Sequence, residues 1–97
     1  MIKITVSKHY EKERFLRENI IKFIGGEGKI IKEISVSLYE KIYITDNCVA
    51  IFYNPINDVL ITKYVMTKSQ LRKMYADAPK DLILKAIKYQ KMGVQKF

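Results

Sequence analysis

Short stretches of alternating hydrophobic and polar residues recur along the chain, and most of them lie between residues 30 and 65. Near the start, Ile2, Ile4 and Val6 alternate with the polar residues Lys3 and Thr5. Because successive side chains of a strand point to opposite faces of a sheet, this alternation predicts half-buried strands. The predicted strands cover residues 1–6, 30–38, 42–44, 48–53 and 59–65.

A helical period replaces the alternation between residues 8 and 24. Four apolar residues follow the i, i+4, i+7, i+8 spacing of one helix face: Leu16, Ile20, Phe23 and Ile24. We expect them to form the buried stripe of an amphipathic helix. Gly25 and Gly26 then mark its end, because glycine adopts the left-handed conformation that closes a helix without steric cost.

Two further helices are predicted near the end of the chain. Thr67 and Gln70 match a capping box, which predicts a helix that continues to about Ala76. Pro79 fits the first turn of another helix, which continues to Gly93. The predicted inner stripe of this last helix consists of Leu82, Ile83, Ala86, Ile87 and Gln90, with Lys85, Lys88 and Lys91 near its outer face.

The predicted elements follow the order strand, helix, four strands and two helices, which is typical of the α+β class. The strand at 48–53 is apolar on both faces, so we expect it to be central. We expect Val49, Ile51 and Ile61 inside and the loop at 54–58 exposed. The 97 residues suffice for one domain. The prediction is a single α+β domain over residues 1–97, in which an N-terminal amphipathic helix and two C-terminal helices pack on an antiparallel, mainly four-stranded sheet.

The chain is strongly basic: 18 Lys and Arg residues against 10 Asp and Glu residues give a formal net charge of +8. Such an excess favours RNA or another polyanion as the partner. No uncharged apolar run approaches the roughly 18 residues that span a bilayer, and the first residues lack the apolar region of a signal peptide. We therefore expect a cytoplasmic protein with no membrane partner.

Histidine and cysteine each occur once, which limits the chemistry that the chain can perform. Cys48 lies in an apolar run and is interpreted as a packing residue. A conventional zinc site needs several His and Cys ligands, and the acidic residues show no metal-binding spacing. We expect neither a metal nor another cofactor. The glycine-rich segment 25–28 lacks the ending of a phosphate loop and is interpreted as a connector.

The one cluster that suggests chemistry lies early in the first helix, where His9 precedes Arg14 and Arg17. An imidazole can transfer protons near neutral pH, and guanidinium groups bind phosphate, so the cluster suits phosphodiester chemistry. The alternative interpretation is structural. In that case His9 packs beside the apolar stripe and the arginines form surface ion pairs.

The order of elements and a few residues resemble the small RelE/barnase-like ribonuclease and toxin folds that are often found in phage and mobile-element genomes. The matching residues are Ser7, His9, Arg14, Arg17 and the segment Thr62-Lys63-Tyr64. The resemblance implies an RNA-directed protein and a metal-independent endoribonuclease activity. It assigns proton transfer to His9, a phosphate clamp to Arg14 and Arg17, and a further hydrogen-bond donor to Thr62 or Tyr64. A cognate antitoxin would be a partner.

The alternative function is a non-enzymatic phage or mobile-element regulator or inhibitor, which binds nucleic acid or a host protein complex. Basic residues spread over both ends of the chain favour this function, and tyrosines on predicted strands can stack nucleic-acid bases. The expected nucleic-acid-binding residues are Lys8, Tyr43, Arg72, Lys85, Lys88 and Lys91. A third interpretation is protein inhibition, in which the positive field steers an acidic protein partner.

Overall fold

The computed structural model describes the backbone of residues 5–6 and 8–95 and the side chains of residues 15–95. Their elements follow the predicted order and confirm the α+β class. They are β1 (Thr5–Val6), α1 (Lys8–Phe23), β2 (Ile30–Ser37), β3 (Glu40–Thr45), β4 (Val49–Asn54), β5 (Val59–Val65), α2 (Lys68–Met74) and α3 (Lys80–Met92).

The five strands form one sheet in the order β1-β5-β4-β3-β2. Strands β2 to β5 pair antiparallel with their neighbours, which confirms the predicted four-stranded sheet. The short strand β1 adds a parallel pair at one edge, where Thr5 and Val6 lie opposite Val59 and Leu60. Strand β4 lies in the middle of the order, as its apolar sequence predicts.

One face of the sheet is covered by the two C-terminal helices. Ile44 on β3 lies opposite Ala50 on β4, and neither is exposed to solvent. They share the hydrophobic core with Leu71 of α2 and with Leu82 and Ala86 of α3. Because side chains alternate along a strand, the neighbouring residues on β3 and β4 point to the opposite face.

That opposite face is only partly covered. Tyr43, Ile51 and Lys63 form a cross-strand row on β3, β4 and β5, and all three are half-buried. The expectation that Val49 lies inside is confirmed, because it is fully buried. Ile51 and Ile61 are only partly buried, so these two residues do not form the centre of the core.

The buried face of α1 differs from the prediction by one residue. Ile21 is 5% exposed and Arg17 9%, whereas Leu16 is 50% and Phe23 is 69% exposed. Ile20 and Ile24 are half-buried. Adjacent residues of a helix are about 100° apart, so the helix is rotated relative to the predicted stripe. The pattern assigned Arg17 to the polar face, but its side chain is used in packing.

The inner stripe of α3 shows a similar one-residue difference. Leu82 and Ala86 are buried as predicted, while Gln90 is exposed and Tyr89 is only 6% exposed. Ile83 and Ile87 are half-buried. The aromatic ring of Tyr89 contributes far more apolar area to the core than the amide side chain of Gln90 could.

The predicted helix ends and the packing role of Cys48 agree with the structure. Thr67 and Gln70 form both hydrogen bonds of the capping box. The glycines after α1 have φ values of +98° and +97°. Cys48 is fully buried, and its Sγ donates to the carbonyl of Leu82 at 3.3 Å. Burial raises the pKa of its thiol to about 11, so the group stays protonated near neutral pH.

The hydroxyl of Thr45 joins the α1–β2 loop to the turn between β3 and β4. Thr45 is fully buried, and its Oγ1 donates to the carbonyl of Glu27. The same oxygen accepts from the backbone N–H groups of Asn47 and Val49, each at 3.2 Å. The side chain of Asn47 adds a bond of 2.9 Å from Nδ2 to the carbonyl of Gly26.

The loop also needs a glycine where it touches this turn. Asp46 accepts from the N–H of Lys29 at 2.7 Å, and its own N–H donates to the carbonyl of Lys29 at 2.9 Å. A Cβ atom on Gly28 would lie 2.2 Å from the Asp46 carboxylate oxygen. Gly28 also has a φ of +87°, in the left-handed region that favours glycine. The segment 25–28 is therefore a connector held tightly to the turn.

We predict that Thr45→Val lowers the free energy of unfolding by about 1 to 3 kcal/mol, because the backbone N–H groups of Asn47 and Val49 lose their acceptor. Thr45→Ser keeps the hydroxyl and removes one methyl group, so it should cost only about 0.8 kcal/mol. Urea unfolding of both variants measures the difference. Equal losses in the two variants would show that the hydroxyl contributes nothing.

Candidate nucleic-acid interface

Arg17 makes the polar contacts that hold α1 against β5. Its Nη1 donates to the hydroxyl of Thr62 and, at 3.4 Å, to the carbonyl of Lys63. Its guanidinium carbon lies 5.8 Å from the centroid of the Tyr64 ring, within the range of a cation–π contact. The structure thus brings together three of the residues predicted to be catalytic, namely Arg17, Thr62 and Tyr64.

These contacts make the cluster a packing element of the fold. Tyr64 also stacks on Phe52, with 5.7 Å between ring centroids. Burial raises the pKa of Tyr64, although the charge of Arg17 opposes this, so the phenol is protonated near neutral pH. Arg17 directs its guanidinium at β5 and is only 9% exposed. Little of its surface is therefore left for a phosphate group.

The remaining predicted residues of the first helix cannot be placed in this cluster. The side chains of Lys8, His9 and Arg14 lie outside the residues that the structure describes, although their backbone belongs to α1. Their roles in catalysis or binding stay predictions from the sequence.

The net charge of the protein is distributed unevenly. Residues 15–66 hold six basic and six acidic residues and carry no net charge. Residues 67–95 hold seven basic residues against two acidic ones, a net charge of +5. Five of these seven are exposed, and we call them the C-terminal basic surface: Arg72, Lys73, Lys80, Lys88 and Lys91.

Lys85 was expected near the outer face of α3, and this placement is wrong. The side chain is half-buried, and its Nζ donates to the carbonyl of Asp46 at 2.9 Å and to Oδ1 of Asn47 at 3.3 Å. The ammonium group therefore fixes α3 to the turn between β3 and β4. Lys88 and Lys91 are exposed on α3 as predicted, and Arg72 is exposed on α2.

A groove of about 300 Å³ crosses the partly open face of the sheet, and we call it the sheet groove. Its apolar and aromatic lining consists of Ile30, Tyr43, Ile51, Tyr53 and Leu60. The strand register places these side chains together, because Tyr43 lies opposite Ile51 and Tyr53 lies opposite Leu60. The rings of Tyr43 and Tyr53 are tilted by 48°, with 6.4 Å between centroids.

Two polar contacts accompany this lining. Nζ of Lys63 lies 2.5 Å from Oε1 of Glu27, and both residues line the groove. The hydroxyl of Tyr53 donates to the carboxylate of Asp58, and this hydrogen bond raises the pKa of Tyr53. The groove thus combines aromatic surface with one ammonium and one carboxylate that neutralise each other.

The sequence predicts Tyr43 as a nucleic-acid-binding residue but does not predict its neighbours in the groove. Alternation along β3 and along β4 shows which residues of the same strand share a face with Tyr43 and with Ile51. It does not show which residues of β5 lie beside them, because a register shift interrupts the pairing of β4 with β5. Glu27 gives no local signal at all, since a long-range contact with Thr45 positions its loop.

Among the residues that the structure describes, no group of three or more His, Cys, Asp or Glu side chains is arranged to bind a metal ion. Within the same residues, no helix is both long and apolar enough to cross a membrane.

No protein-family model matches the chain, and comparisons with curated proteins and with solved structures find no match either. The resemblance to RelE/barnase-like ribonucleases stays a prediction from the residues.

We predict that Arg17→Ala lowers the free energy of unfolding by about 1 to 3 kcal/mol, because it removes hydrogen bonds to Thr62 and Lys63 from a charged group. The matched control is Arg72→Ala at an exposed position, which should change stability by less than about 0.5 kcal/mol. Chemical denaturation measures both variants. If Arg17→Ala kept full stability and lost RNA binding or cleavage instead, Arg17 would act on a ligand.

Proposed function

We propose that the protein binds RNA through the C-terminal basic surface and does not cleave it. The observation that carries this proposal is the net charge of +5 on residues 67–95, in contrast to residues 15–66, which carry none. The exposed side chains of Arg72, Lys88 and Lys91 belong to this surface. Lysine and arginine contacts with phosphates contribute much of the affinity of nucleic-acid-binding proteins.

The burial of Arg17 also supports binding without cleavage. A phosphate clamp needs guanidinium donors that a ligand can reach, whereas Nη1 of Arg17 already donates to Thr62 and Lys63. The exposed lysines of α3 need no such precise geometry, because an ammonium group attracts phosphate as a point charge. A surface of this kind binds many RNA sequences with similar affinity.

The double variant Lys88→Gln/Lys91→Gln tests the proposed surface. We expect weaker binding of a labelled single-stranded RNA and a flatter dependence of log affinity on log salt concentration. The slope should fall by about 0.7 for each lost phosphate contact. Fluorescence anisotropy titrations over a range of KCl concentrations measure both quantities.

The matched control is Lys22→Gln/Lys29→Gln, which removes the same charge from two exposed lysines in the neutral part of the chain. We expect a smaller loss of affinity from this pair. An unchanged slope for Lys88→Gln/Lys91→Gln would contradict the proposed surface. Failure of the wild-type protein to bind RNA, combined with capture of an acidic protein, would favour the inhibitor function instead.

The second candidate function is a metal-independent endoribonuclease, because three of the residues that the resemblance assigns to catalysis, Arg17, Thr62 and Tyr64, lie close together. In this reaction the ribose 2′-hydroxyl attacks the adjacent phosphate, and the bond to the 5′ oxygen of the next nucleotide breaks. His9 would transfer the protons, and Arg14 and Arg17 would stabilise the charge on phosphate.

Incubation of RNA with the protein in the presence of EDTA separates the two candidates. Binding without cleavage predicts that the RNA stays at full length while the anisotropy signal shows a complex. Cleavage that disappears in His9→Ala, with RNA affinity retained, would establish the nuclease and contradict the binding proposal.

A further inference from the structure

RNA binding by the C-terminal basic surface gives the sheet groove no role. The groove lies on the sheet face opposite the buried pair Ile44 and Ala50, which the C-terminal helices cover. Its lining combines five apolar or aromatic side chains with one ion pair, Glu27 and Lys63, whose charges cancel. The part of a ligand that enters this groove should therefore be uncharged, unlike a phosphate group.

We propose that the sheet groove holds one unpaired base of the bound RNA, stacked on Tyr43, with Glu27 and Lys63 beside the polar edge of the base. This inference rests on the proposed function and deepens it. It adds that the protein prefers single-stranded RNA to duplex RNA.

The chemistry of the lining matches a nucleobase. A base is flat and uncharged, and it stacks on aromatic side chains such as Tyr43 and Tyr53. Its edge carries both hydrogen-bond donors and acceptors, which can bind the carboxylate of Glu27 and the ammonium of Lys63. The volume of about 300 Å³ is at the lower end for small-molecule sites, as one ring system requires.

The charges around the groove disfavour a phosphate group in the same place. Glu27 lies 2.5 Å from the ammonium of Lys63 and neutralises it. Asp58 binds the hydroxyl of Tyr53, so a second carboxylate lies beside the lining. The pair Glu27–Lys63 carries no net charge, so the carboxylate of Asp58 remains to repel a phosphate, whereas an uncharged base is not repelled.

A preference for single-stranded RNA follows from the different groups that the two surfaces bind, phosphates on one and a base on the other. A duplex is stiff, and its bases are already paired and stacked, so it can contact the C-terminal basic surface only through phosphates. A flexible single strand can contact the same lysines and also place a base in the groove. Each stacked base adds affinity that the duplex cannot gain.

The test compares three ligands of equal length: a labelled single-stranded RNA, the same RNA annealed to its complement, and a strand with the same backbone in which abasic sites replace the bases. Wild-type protein should bind the ordinary single strand most tightly. Tyr43→Leu should weaken that binding by about 5- to 100-fold, the effect of losing one stacked base. Its affinity for the duplex and the abasic strand should not change.

Two control variants accompany the test. Tyr43→Phe retains the ring and should keep the preference for the ordinary single strand. Tyr39→Leu removes a tyrosine that is 59% exposed between β2 and β3 and outside the groove, so binding should not change. If Tyr43→Leu does not fold, the wild-type comparison of ordinary and abasic strands decides alone.

Equal affinity of the wild-type protein for the ordinary and the abasic strand would overturn the groove proposal. If that binding still weakened with salt through Lys88 and Lys91, RNA binding by the basic surface would stand. Absence of binding to all three ligands would overturn the proposed function and the groove proposal together.

Discussion

The hydrogen bonds of the buried Thr45 hydroxyl determine how the two proposed binding surfaces are arranged. This hydroxyl donates a hydrogen bond to the carbonyl of Glu27. It also accepts hydrogen bonds from the backbone N–H groups of Asn47 in the turn after β3 and of Val49 at the start of β4. Lys85 binds the same turn from α3. One short turn therefore fixes the loop that places Glu27 beside Lys63 and also fixes the last helix. If this turn shifted, both the sheet groove and the surface of α3 would move.

The uneven charge along the chain gives the sheet groove and the C-terminal basic surface different chemistry. Residues 15–66 carry no net charge and supply the aromatic side chains of the groove, while residues 67–95 carry a net charge of +5. Phosphates and bases bind to different kinds of surface, because phosphates bind to exposed cations and bases stack on flat aromatic side chains. RNA offers both groups in one ligand. Arg17, for which the sequence predicts a catalytic role, contributes to the contact between α1 and β5.

Periodicity predicted the elements well, because strand and helix periods are local properties of the chain. The central strand, the capping box at Thr67 and the glycine end of α1 all follow from local sequence. The rotation of α1 does not follow, because a pattern of apolar residues cannot show that Arg17 packs against Tyr64. Lys85 was misplaced for the same reason, since its partner is a backbone carbonyl distant in sequence. The groove depends on the register of four strands, β2 to β5, and on one long-range loop contact, and no local sequence pattern contains them.

Amide NMR spectra of isotope-labelled protein, recorded during titration with a short single-stranded RNA, test the central claim most directly. The account predicts shifts in two separate regions, at Arg72, Lys88 and Lys91 on the helices and at Tyr43 and Ile51 in the groove. A duplex of the same sequence should shift only the helical set. Shifts concentrated around Arg17 and the first turns of α1, with both predicted regions unchanged, would contradict the account.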